Sequence, residues 1–263
     1  MAINVLDKYG IKEVADVTFY KITDTGDRGA PVLYLDTLKV STIEQTAEEA
    51  IAQGGKGNPP LITWDYGKEI NVTLEDALFS AKSMAIMFSG NDQVGTAMES
   101  IYKTITWTPK TTDEAIPRTF KGPLGKDFTF KLNTAITVYD GANNGAVTTV
   151  TPTAADDSFT ATVSSGHPYL VTGLVDVKDT GTIEISANTF PGNYYVTGDT
   201  YARKEATGED EFFQFIIPKA KVTSENTITL EAEGDPSVFN LNLKVLRPAG
   251  GGPMMKLVKY NIE

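Results

Sequence analysis

GGKGNPP (Gly54–Pro60), LITWDYGKEINVTL (Leu61–Leu74) and EDALFSAKSMAIMFSG (Glu75–Gly90) follow one another without a break after Gln53. A glycine-rich loop leads into an extended run, and the run leads into one amphipathic segment. Glu69–Leu74 alternates apolar and polar side chains, as a half-buried strand does. Beyond it, Leu74, Leu78, Ala81, Ala85 and Phe88 recur at spacings of three and four and make one apolar face. Met84 and Met87 widen that face. Thr73 suits an N-cap, Glu75 and Asp76 suit the first turn, and Gly90 suits a C-terminal stop. The pattern predicts a helix over Glu75–Gly90.

Outward from this stretch the chain reads as strands. On the N-terminal side, Val14–Tyr20 and Val32–Leu38 flank the turn chemistry of TDTGDRGAP. Lys39–Leu61 reads as one long connection, with a helical turn or two over IEQTAEEAIA. Loops of that length inside a compact domain are functional or order on a partner. On the C-terminal side, Ile101–Thr108 and Asp127–Leu132 are strands. Residues 133–188 turn richer in Thr, Val, Asp and Gly, with short strands in AITVYD, SFTATV and TIEIS. The last third holds YYVTGDTYAR, EFFQFIIPKAKV, NTITLEAEG, SVFNLNLKVL and MMKLVKY, long alternating strands of an antiparallel sandwich. The expected class is mainly β: an antiparallel sandwich or barrel with one flanking helix. Its core is expected over 1–132 and 189–263, with a small β-rich, immunoglobulin-like lobe inserted at 133–188.

Composition narrows the chemistry. The 263 residues carry 34 acidic against 23 basic side chains, a net charge of −11. That balance disfavours ordinary nucleic-acid binding, which needs Lys and Arg on the phosphates. There is no cysteine and one histidine, His167. Disulfides, thiolate metal sites, thiol catalysis and multi-histidine metal centres are therefore excluded. No window approaches the ~18 apolar residues of a membrane span, and the N-terminal residues carry Asp7, Glu13 and Asp16. A soluble protein made in a cytoplasm, without membrane partners, is the expectation.

The candidate motifs have plainer readings. GGKGNPP lacks the four-residue spacing and the Ser or Thr of a phosphate-binding loop. The acids Glu75–Asp76, Asp156–Asp157 and Glu209–Asp210–Glu211 are sequence neighbours, and neighbours on a strand point to opposite faces. His167 follows a glycine and precedes a proline, beside Ser164 and Ser165, with no nucleophile elbow. Trp64 and Trp107 read as core or interface residues. The helical face reads two ways: as cover for the chain's own sheet, or as a contact with a neighbouring subunit through Met84, Met87 and Phe88.

Taken in order, KGNPPLITWDYGKEINVTLEDALFSAKSMAIM, FPGNYYVTGDTYARKEATGEDEFFQFIIPKAKV and ENTITLEAEGDPSVFNLNLKVLRP resemble the tail tube (major tail) proteins of long-tailed bacteriophages. The resemblance covers about residues 14–132 and 189–260. It implies a tail-tube β-sandwich or barrel with one flanking helix, assembling into rings, typically hexameric, that stack into a hollow tube. It also implies a long loop between early strands that reaches the next ring, and a continuous inner barrel through which the genome passes.

Under that resemblance each stretch acquires an expected role. Gln53, Gly54, Gly55, Lys56, Gly57 and Asn58 become the inter-ring loop, and Met84, Met87 and Phe88 the inter-subunit helix. Glu69, Glu211, Glu231 and Glu233, on or beside expected strands, become lumen acids. The expected partners are further copies, the tape measure, the tail terminator, the baseplate or sheath, and DNA passing without specific binding. The expected location is the virion tail. No cofactor, metal or catalytic residue is expected. Two other classes stay open: a virion decoration or fibre-associated binding protein using the 133–188 lobe, and a hydrolase using paired carboxylates such as Asp157 and Glu209.

Overall fold

The computed structural model describes residues 8–90, 94–96, 98–122, 125–141, 145, 147–153, 157–228 and 237–260. The chain is mainly β and its sheets are antiparallel. It divides into two compact units, one of Met1–Val94 with Ile183–Glu263 and one of Gly95–Thr182. The second unit thus begins well before residue 133, because β6 (Glu99–Trp107) pairs along its whole length with β13 (Tyr169–Val177). That pairing binds residues 99–132 to the segment expected as a lobe and not to the first unit.

The first unit is a nine-stranded sheet. Its main path runs β3 (Arg28–Leu35), β2 (Asp16–Ile22), β14 (Asn193–Lys204), β15 (Asp210–Val222), β16 (Phe239–Val245), β5 (Pro60–Asp76), β4 (Leu38–Gln53). β1 (Tyr9–Ile11) joins β14, and β17 (Lys256–Tyr260) joins β15. Val17, Phe19 and Leu33 from one end of the path share a core with Val72, Leu74, Leu241 and Leu243 from the other. The sheet therefore folds over on itself as a sandwich, each strand giving alternate residues to the interior. β15 changes partner midway: Phe212–Ile216 face β17 and Ala220–Val222 face β16. Pro218 sits between the two sets, at a register shift against β14, where its missing N–H costs no ladder bond.

The helix is shorter than the periodicity predicts. β5 runs on through Asp76, and α1 covers only Ala81–Phe88. The N-cap is Ser80, not Thr73. Ser80 Oγ accepts from the Ser83 amide at 3.0 Å, and the Ser80 amide donates to Ser83 Oγ at 2.9 Å, a reciprocal cap. Asp76, buried, ends the strand: its carboxylate accepts from Thr37 Oγ1 at 2.5 Å and from the Leu78 amide at 3.2 Å. Gly90 does stop the helix, at φ +68°, with its α-carbon against the Phe190 carbonyl.

The second unit is a four-stranded sheet, β11 (Val147–Val150), β10 (Ile136–Asp140), β13, β6, with two-stranded ribbons β12 (Ser158–Phe159)–β7 (Ile116–Pro117) and β8 (Thr119–Lys121)–β9 (Asp127–Thr129). It has its own core of Ile116, Phe130, Ile136, Val138, Phe159, Val171 and Val175. SFTATV gives only the two residues of β12, and TIEIS gives only a bridge from Thr182 to Gly95.

Candidate assembly surface: a bare hairpin arm and an open sheet face

Lys39–Leu61 is not a loop. β4 and β5, of 16 and 17 residues, form one long hairpin whose connection is Gly54–Pro59. That connection holds all of the candidate inter-ring residues except Gln53, which ends β4. Gly55 and Gly57, at φ +86° and +87°, and Asn58, at φ +49°, supply its left-handed turns. Asn58 Nδ2 donates to Gln53 Oε1 at 2.9 Å and ties the turn to the strand.

The hairpin has two parts. Near its base, Ile70, Val72 and Leu74 enter the core. Beyond it, Thr46 pairs with Glu69 but Glu48 pairs with Tyr66, so β5 carries one extra residue there. Gly67, at φ +63°, marks that bulge. From the bulge to the tip the hairpin is an arm on which, among the described residues, no third strand pairs and no core residue is found. Ile51, Leu61, Ile62, Trp64 and Tyr66 are all 48–65% exposed. Directly paired residues share a face, so Ala50 with Trp64, Ala52 with Ile62 and Glu48 with Tyr66 make one face of the arm apolar and aromatic. A monomer rarely exposes so contiguous an apolar strip.

The face changes character along its length. At the base its members are Thr42, Glu44 and Thr46 on β4, Glu69, Asn71, Thr73 and Glu75 on β5, and Asn240, Asn242 and Lys244 on β16. That surface is polar and net acidic. β4 lies at the end of the strand path, so its outer edge offers unpaired backbone groups.

The candidate residues fall in different places. Glu69 lies on the open face and pairs with Lys244 at 2.7 Å, both side chains about half exposed. Glu211 is on β15, and its side chain is only 12% exposed because it forms an ion pair with Lys259 of β17. That hydrogen bond holds the Glu211 carboxyl below its ordinary value and pushes Lys259 up. Glu211 is thus engaged inside the β15–β17 contact. Glu231 and Glu233 lie outside the described residues. Met87 is 1% exposed and belongs to the core of its own unit, so it is not a surface residue of this chain. Met84 and Phe88 are half-buried, and Phe88 also packs on that core.

The other polar groups do not converge on one site. Asp210 pairs with Arg203 through two bonds of 2.7 Å, and that hydrogen bonding depresses its pKa. Lys131 does the same to Asp176 at 2.8 Å in the second unit. His167, Ser164 and Ser165 are exposed, and the Ser164 amide donates to Tyr169 Oη. Among the described residues no three His, Cys, Asp or Glu side chains stand close enough to share a metal ion. A cleft of 690 Å³ in the second unit is lined in part by Arg118, Lys131 and Asp176.

Trp64, read from sequence as a core or interface residue, is exposed on the arm, and sequence reasoning passed over Ile62 and Tyr66 on the same face, although the alternation in LITWDY was on view. What hid them was the absence of a recognised partner strand in IEQTAEEAIA. No curated protein matches the chain. The YomU/Tube protein family matches residues 9–257, nearly the whole length, so this chain belongs to that family and is a structural protein of the phage tail tube.

Proposed function

We propose that copies of this chain close into rings, hexameric as the resemblance implies, and that the rings stack into a tube with an acidic lumen. The observation that carries this reading is the bare arm. A hairpin with no third strand is marginal in water, and five large apolar side chains on it stay wet unless another molecule covers them. The free edge of β4 supports lateral closure, since joining edges satisfies its backbone groups. The arm, with Gln53–Asn58 at its tip, takes the inter-ring role expected of the Lys39–Pro60 stretch.

The polar face at the hairpin base is the best candidate for the lumen wall, with Glu44, Glu69 and Glu75 its acids. DNA carries one negative charge per ~1.7 Å of axis, so an acidic wall repels it and lets it slide. Screening confines that repulsion to ~8 Å at physiological salt, a range that still acts in a narrow channel. At the tube ends the same surfaces would meet the tape measure, terminator and baseplate or sheath proteins. Synthesis in the host cytoplasm and use in DNA ejection complete the reading. Electron microscopy of the purified protein at rising concentration should show rings, then tubes. A strictly monomeric species at high concentration would refute it.

A further inference from the structure

Among the described residues, no third strand covers the arm. Trp64 stands opposite Ala50, seven residues past Ile43 on β4, and strand pairing is kept up between them apart from the bulge. At ~3.3 Å per residue the aromatic face lies about 23 Å from the level of Ile43 and cannot fold back to it. Yet the level of Ile43 is where the same unit holds a second uncovered apolar feature. A groove of 340 Å³ runs between the Ile11–Ala15 segment and the base of β4, with Phe213 and Phe215 lining it. That volume lies in the range of sites that take a few side chains. Ile11, Val14, Val40 and Ile43 line it and are exposed. Ser41 Oγ, also in its lining, is shielded from solvent and has no hydrogen-bond partner among the described residues.

Charge matches the two features. The arm carries Glu48, Glu49 and Asp65, none of them in an ion pair among the described residues. Glu48 stands opposite Tyr66 and shares the aromatic face, whereas Glu49 and Asp65, opposite each other, lie on the reverse face. The groove carries Lys12 and Lys39 beside a single acid, Glu13, and both lysines are likewise without an ion partner among the described residues.

We infer that the groove between Ile11–Ala15 and the base of β4 receives the arm of a second copy, with the Ile62–Trp64–Tyr66 face on the apolar lining and Glu48, which shares that face, against Lys12 and Lys39. Two different surfaces meet in this contact, so it is heterologous. Each copy gives an arm and accepts one, and the contact passed on from copy to copy builds a series, which a reciprocal exchange between two copies would not. The inference rests on the self-assembly proposed above and names the acceptor for it.

The cysteine-free chain makes the test clean. Ala50→Cys places a thiol on the apolar face of the arm, and Val14→Cys places one on the groove. Both positions are surface positions, so neither change should disturb folding. The two variants are mixed, assembled, checked by electron microscopy and oxidised. Covalent dimers are expected in the mixture, with each variant alone giving at least tenfold less, and a covalent ladder is expected from the double variant. Lys12→Glu with Lys39→Glu should suppress the cross-link about tenfold, and a Glu48→Lys arm should restore part of it. Tubes that form without the mixed cross-link, or an Ala50→Cys chain that links chiefly to itself, would overturn the groove assignment and leave the tube reading standing. Absence of both tubes and cross-links would remove both.

Discussion

Trp64→Ala tests whether the arm serves the fold or the assembly. Trp64 is 53% exposed, and its ring touches no core residue. A tryptophan presents at most about 250 Å². Roughly half of that, about 130 Å², is left to be covered by another copy. At about 25 cal/mol per Å² its burial contributes up to about 3 kcal/mol per contact. Each ~1.4 kcal/mol is tenfold, so the alanine variant should need about 100-fold more protein to assemble. The unassembled chain should melt as before, within the ~0.5 kcal/mol typical of a surface change. Sedimentation across a concentration series reads the first quantity and thermal unfolding of dilute protein reads the second. Leu78→Ala, also an exposed apolar residue but off the arm, should leave the assembly threshold where it was. A Trp64→Ala threshold that moves less than threefold, or a dilute chain that melts clearly lower, would show that the arm is not an association surface.

Three further outcomes test the fold that holds the arm. A Cβ at Gly198 would lie 2.1 Å from the Phe215 ring directly across the strand pair, so Gly198→Ala should lower the stability of the first unit by at least about 1–3 kcal/mol in chemical denaturation; an unchanged midpoint would contradict the packing. Ser80→Ala removes the acceptor for the Ser83 amide and should cost about 1 kcal/mol, and Ser80→Asp should recover most of it. The carboxyls of Glu211 and Asp210, held low by hydrogen bonds from Lys259 and Arg203, bind protons less readily folded than unfolded. Their stabilisation is complete above the ordinary carboxylate values, 4.5 and 3.8, and is lost as pH falls below them toward the folded values. Protection of the Phe212–Ile216 amides, measured against their intrinsic exchange rates where β17 pairs, should therefore fall below about pH 4, and Glu211→Gln should flatten that acid response. An acid limb identical in Glu211→Gln would place the titrating group elsewhere.

Much of this fold is legible in local pattern. The long alternating strands β14, β15 and β16 and the start of β2 are where alternation puts them, because one face of each is buried and the other is not. The arm defeats that logic. With both faces exposed there is no burial to impose alternation, and the helix-forming alanines and glutamates of IEQTAEEAIA point the wrong way. The hairpin partner Leu61–Val72, rich in β-branched and aromatic residues, holds Ile43–Ala52 extended. The helix start fails for a related reason: Asp76 looks like a first-turn acid, but its carboxylate is taken by Thr37, 39 residues away. β13 was missed because Gly173 interrupts its apolar run. That glycine leaves room for the Phe130 ring, which would lie 2.8 Å from a Cβ there. The edge of the second unit followed β13 into error, since β6 belongs with it.

The strand character of the arm changes the energetics of assembly, not only its geometry. A disordered loop ordered on contact loses about 1–2 kcal/mol of backbone entropy per residue. Over Glu48–Gln53 and Pro60–Tyr66 that loss would exceed about 10 kcal/mol. Burial of Trp64, Tyr66 and Ile62, each already about half covered, offers less than that. A flexible reach would therefore bind weakly or not at all. Cross-strand hydrogen bonds, a tied turn and the anchored base settle most of that loss while the protomer folds. The contact then keeps most of the hydrophobic gain, which is how preorganisation raises affinity without new contacts. The same division explains the change of face along one hairpin: polar at the base, where the sheet supplies its own core beneath, and aromatic beyond Gly67, where only another molecule does.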